Sequence, residues 1–165
     1  MRDRRPSAPV AAVTTSGLVD FFERASYERA VQEGDEMSVH AAFRQAVDAR
    51  DLAAILAKFR EDAVLHSPVS FHPFEGREAI SHLLRILLEI FDEFRYTDEL
   101  ISADGRTVGL VFRARVGDRN AEGLDLLRFD EEGKVRELTV MVRPRSALEA
   151  LFAAVASRLA ASANP

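Results

Sequence analysis

Near residue 92 the hydrophobic pattern of this chain changes its period from 3.6 to 2, and it does not change back until residue 146. Four segments between those points, Arg95–Ala103, Thr107–Val116, Glu122–Asp130 and Lys134–Pro144, alternate apolar with polar residues. The pairs Asp104–Gly105, Gly117–Asp118 and Glu132–Gly133 separate them. Side chains in a strand point to opposite faces in turn, so alternation bounded by turn residues predicts an antiparallel meander of four strands with one buried face. Before the switch the period is helical. Ser38 is placed to cap a helix from Val39 to Ala49, Asp51 a second from Leu52 to Phe59, and Glu78–Phe91 carries an apolar stripe of Ile80, Leu83, Leu84, Leu87, Leu88 and Phe91. A short strand, Ala63–Val69, lies between these helices, and Ser146 is placed to cap a last helix running to about Leu159. Helices gathered around one sheet make an α+β domain. A bent sheet wrapped on helices leaves a cone with an open end.

Composition narrows what such a domain does. At 165 residues and 47% hydrophobic, the chain suffices for one domain with a real core. A net charge of −5 argues against a nucleic-acid partner. Without cysteine there is no disulfide, thiolate nucleophile or thiolate-bound metal. His40, His66, His72 and His82 are too scattered for a metal-binding motif, so no metal is expected. No cofactor is expected either, because a pocket that desolvates and orients its ligand suffices for proton transfer. No run approaches the roughly 20 apolar residues that span a bilayer, and Val10–Val13 is too short for a secretory h-region, so no membrane association and a cytoplasmic location are expected. Residues 1–16, rich in Pro, Ser, Arg and Thr, are expected as a flexible tail. Residues 17–36 are expected as an extra N-terminal helix bearing Leu18, Phe21, Phe22 and Ala25, and residues 37–160 as the domain proper.

Two stretches, FREDAVLHSPVSFHPFEGREAI (Phe59–Ile80) and LDLLRFDEEGKVRELTV (Leu124–Val140), are joined by this order of elements. Together they resemble the nuclear transport factor 2-like superfamily over residues 37 to 145. That superfamily has a cystatin-like cone and includes ketosteroid isomerases, SnoaL-type polyketide cyclases, limonene-type epoxide hydrolases and non-catalytic binders. The resemblance implies a pocket for a small apolar ligand, and a homodimer formed through the open sheet face, here with Val111, Leu126, Thr139 and Met141. Residue by residue it is incomplete. Ser67 stands where the isomerases have their aspartate base, and Phe43 where they have their oxyanion tyrosine. Asp125 matches their oxyanion-stabilising acid. Gly123 stands where the epoxide hydrolases need an arginine.

Asp125 is accordingly the candidate catalytic residue. It lies among apolar neighbours and shares a strand face with Leu127 and Phe129, and a carboxyl group between apolar walls has its pKa raised toward neutrality. The competing reading is an aspartate held by an arginine or by backbone amides. The expected ligand-binding set is His66, Ser67, Phe43, His72, Phe74, Leu83, Leu87, Phe112, Leu127, Leu138 and Val140, with the apolar members assigned through the resemblance. Adjacent strand residues face opposite sides, so His66 and Ser67 do not both point inward, and the resemblance turns Ser67 toward the pocket unless a bulge reverses them. Asp98 is a possible second carboxylate facing Asp125, though a solvated strand position is the stronger reading. Arg143 is either an anion-binding or interface residue or a solvated edge. Two functions stay open: an isomerase- or aldol-cyclase-type enzyme in which Asp125 moves a proton at an activated carbon, and a non-catalytic ligand-binding or protein-interaction module.

Overall fold

The computed structural model describes residues 38–162, so the expected tail and extra N-terminal helix lie outside the described residues. Helix α1 (Val39–Asp48) buries Phe43 and Ala46. It ends in a turn where Arg50 takes a left-handed backbone, φ 53°. Asp51 caps α2 (Leu52–Leu56) as expected, accepting the amide of Ala54 at 3.0 Å.

The next element departs from expectation. Phe59 does not close α2; it opens strand β1 (Phe59–His66), opposite Val135 of the last strand, whose amide donates to the Lys58 carbonyl at 2.8 Å. This tertiary pairing claims backbone that helical periodicity alone would extend into α2. The strand therefore starts and ends earlier than the expected Ala63–Val69.

A two-residue strand β2 (Phe74–Glu75) pairs with β1 and leads into α3 (Gly76–Ile90). That helix is apolar around much of its circumference. Ile80, Leu83, Ile86 and Ile90 enter the core, while Leu84, Leu87 and Leu88 are half-buried on another flank. The helix passes directly into β3 (Phe91–Ile101), and the Arg50 guanidinium binds the carbonyls of Leu88 and Phe91 across this junction. Strands β4 (Thr107–Val116), β5 (Arg119–Phe129) and β6 (Val135–Arg143) complete the antiparallel meander.

The sheet order is β2-β1-β6-β5-β4-β3, with β1 and β6 parallel. Helix α4 (Arg145–Ser162) buries Ala147, Leu151 and Val155 at four-residue spacing but leaves Phe152 and Leu159 exposed. Along β5 burial alternates strictly: Ala121, Gly123, Asp125, Leu127 and Phe129 face inward. Gly123 is dictated by close approach. A Cβ there would lie 2.2 Å from the Phe112 ring and 2.5 Å from the Met141 carbonyl, so no side chain fits where the epoxide hydrolases carry an arginine. Among the described residues, no helix is long and apolar enough to cross a membrane.

Candidate functional site

Between the helices and the concave sheet face lies a cavity of about 120 Å³. From α1 come Phe43, Val47 and Asp48; from α3, Leu84, Leu87 and Leu88. The sheet supplies Leu65, Phe112, Leu138 and Val140, and β3 adds Phe91, Phe94 and Tyr96. Asp48 and Arg50 line the cavity yet are exposed, so they mark its open end.

Asp125 stands in the wall and is 8% exposed, the one buried charged side chain among the described residues. The Tyr96 hydroxyl donates to Asp125 Oδ2 at 2.6 Å. Burial pushes the Asp125 carboxyl from 3.8 up to about 6, against the opposing pull of the Tyr96 hydrogen bond. Tyr96 is raised well above 10, first by its own burial and then by the carboxylate beside it. The reading in which an arginine or backbone amides hold Asp125 is replaced by this phenol. Packing fixes Tyr96 in turn: the Phe94 ring meets it edge-on at 5.1 Å and stacks on Phe112 at 5.0 Å. Arg44 lies over the Tyr96 ring, its Cζ 6.0 Å from the ring centre.

Of the expected site residues, Asp125, Phe43, Leu87, Phe112, Leu138 and Val140 come together in this wall. The others do not. Leu83 and Leu127 are fully buried in the core, away from the cavity. Ser67 lies past the end of β1, where its Oγ accepts the amide of Val69 at 3.3 Å. Ala63 and Leu65 are the inward residues of β1, and because the strand ends at His66, Ser67 lies beyond it and Leu65 is the β1 residue in the wall. His66, paired with Thr139, points to the exposed face. His72 is exposed in the following loop, and Phe74 is half-buried on β2.

Tyr96 is the residue that sequence reasoning missed. Strict alternation sets Phe94, Tyr96 and Asp98 on one face, and Asp98 draws attention as the ionisable member. A bulge between Tyr96 and Asp98 breaks the alternation, so Tyr96 pairs with Phe112 and faces inward while Asp98 pairs with Val111 and is exposed. The usable signal is an aromatic residue with a hydroxyl two positions after Phe94 in an apolar-facing strand. Arg143 is exposed and pairs with Glu122 at 3.4 Å. No group of three or more His, Cys, Asp or Glu among the described residues is arranged to hold a metal ion.

A family model for a SnoaL-like domain matches residues 39–138. A steroid delta-isomerase from Pseudomonas aeruginosa superposes with a TM-score of 0.73 at 38% identity, covering 77% of this chain and 93% of that one. A protein conserved in bacteria with a cystatin-like fold, from Silicibacter pomeroyi DSS-3, also has a TM-score of 0.73, at 26% identity over 80% of this chain and 92% of its own. A protein described as a SnoaL-like polyketide cyclase, from Shewanella denitrificans OS-217, shares the fold at 14% identity and a TM-score of 0.55, covering 70% of this chain and 95% of that one. No curated protein matches the chain.

Proposed function

This chain belongs to the SnoaL-like domain family, with the nuclear transport factor 2-like fold, and on that premise we propose that its cavity takes a small, largely apolar molecule and moves a proton on it through Asp125. The observation that carries this reading is a single buried carboxyl, held by Tyr96 at 2.6 Å and raised to about 6, in a cavity wall that is apolar apart from that pair and the exposed Asp48 and Arg50 at the open end. A carboxyl group with that pKa is divided between acid and base near neutrality, which suits proton transfer in both directions. Asp125 takes a proton from a C–H or O–H bond of the ligand and, as the neutral acid, returns it to another atom of the same molecule. Nothing is oxidised and no co-reactant is consumed, so the reaction class is an isomerisation or an aldol-type ring closure. The 38% identical neighbour is named a steroid delta-isomerase, which favours this class. Ser67 and Phe43 lack the carboxylate and hydroxyl of the ketosteroid isomerase mechanism, so Asp125 and Tyr96 carry the polar work.

That same lack favours a second reading, a ligand-binding or protein-interaction module without turnover. In both readings the protein is a homodimer through the outer sheet face, where Val111, Leu124 and Met141 lie in one cross-strand row beside exposed Leu100.

A thermal-shift screen of one-ring apolar compounds, run on the wild type and on Asp125→Asn, tests the proposal. Ligands that raise the melting temperature of the wild type and act differently on the variant are expected. Hits identical in both proteins would remove Asp125 from the function, and an absence of hits would leave the interaction module.

A further inference from the structure

We infer that the group a ligand presents to Asp125 is a hydrogen-bond donor, the O–H of a one-ring alcohol, phenol or enol, because the buried Tyr96–Asp125 pair uses its one proton internally. This rests on the cavity being the ligand site, as proposed above. Tyr96 has a single hydroxyl proton, and it lies on the 2.6 Å bond to Asp125 Oδ2. Among the described residues Oδ1 accepts no side-chain hydrogen bond, and the cavity that Asp125 lines is walled largely by apolar side chains, among them Leu65, Leu87, Phe112 and Val140. With the carboxyl ionised, the pair offers only lone pairs to the cavity: Oδ1 and the Tyr96 oxygen. A ketone also has only lone pairs, so seating it there strips water from two acceptors and joins neither. A hydroxyl forms a charge-assisted bond to Oδ1.

Size follows from the cavity. Its 120 Å³ is close to the roughly 150 Å³ of an apolar cavity that holds benzene, so one ring is enclosed and longer substituents leave past Asp48 and Arg50. The charged groups facing the pair are Arg44 and Asp48 on α1 and Arg50 in the turn after it. Helices α2 and α3 and strands β1, β4 and β6 present only apolar side chains to the cavity. Protonating Asp125 gives the pair a second proton and a donor for the cavity, and with the carboxyl raised to about 6 this exchange falls between pH 5 and pH 8.

The test is the binding of 4-methylcyclohexanol and 4-methylcyclohexanone, one skeleton with and without a donor, to the full chain by calorimetry or ligand-observed NMR. At pH 8 the alcohol is expected to bind more tightly than the ketone by a factor on the order of ten. At pH 5 the ketone recovers and the gap narrows. Asp125→Asn, whose amide oxygen takes the Tyr96 proton and whose N–H faces the cavity, is expected to bind the ketone at pH 8 as the wild type does at pH 5. The wild-type comparison at two pH values stands even if the variant fails to fold. Equal binding of both compounds at pH 8 would overturn the inference and leave the cavity as a ligand site. Binding of neither at millimolar concentration would overturn both.

Discussion

Asp125→Asn should make the protein's stability less dependent on pH, in a direction opposite to that of most aspartates. The wild-type carboxyl is raised by burial from 3.8 to about 6. That is about two pKa units at about 1.4 kcal/mol each, so holding the charge in the folded state costs about 3 kcal/mol. For a group whose folded pKa is raised, the folded state binds the proton more tightly, and stability falls as pH rises. The contribution is fully present below the unfolded value near 3.8 and is lost as pH passes through 6. About half of it, roughly 1.4 kcal/mol, lies between pH 5 and pH 8. Asn has the same shape and no charge to bury. Urea denaturation of both proteins across that range reads the difference directly: the stability of Asp125→Asn minus that of the wild type should rise by about 1.4 kcal/mol from pH 5 to pH 8. A difference that stays flat, or that falls with pH, would refute the claim that Asp125 is buried with a raised pKa.

Tyr96→Phe removes the donor that holds Asp125 down, so the carboxyl should titrate above 6 by carboxyl NMR, and the protein should lose about 1–3 kcal/mol in urea at pH 8. Gly123→Ala drives a methyl group into the Phe112 ring and the Met141 carbonyl and should cost about 1–3 kcal/mol by thermal or urea unfolding; an unchanged stability would contradict the close approach of β4 and β6 to β5. The wild type should scatter light as a dimer at micromolar concentration, and Met141→Lys, which sets a charge in the outer apolar row, should scatter as a monomer. A monomeric wild type would dispose of the dimer.

The meander was legible because β4, β5 and β6 are solvated on one face and buried on the other, which writes a period of two into the sequence. Asp125 was legible through the resemblance: the period put it on one face with Leu127 and Phe129, and its match to the isomerases' acid named that face the inward one. Where the reading failed, tertiary contacts had overruled local pattern. Phe59 has helical spacing with Ile55 and Leu56, yet its pairing with Val135 makes it the first residue of a strand. That strand ends at His66, so Ser67 lies beyond it and Leu65 is the β1 residue in the wall. Period alone does not reveal a bulge, so Asp98 drew attention that belonged to Tyr96. Large apolar residues were the least separable: Leu83 and Leu87 lie one turn apart on α3, and only the packing of the helix decides which of them meets the cavity.

A crystal structure of the protein with 4-methylcyclohexanol at pH 8 tests the central claim most directly. We predict the ring enclosed between Leu87, Phe112 and Val140, with its hydroxyl within hydrogen-bond distance of Asp125 Oδ1 and the Tyr96 bond intact. A ligand bound elsewhere on the surface, with Asp125 engaged only by the protein, would contradict it.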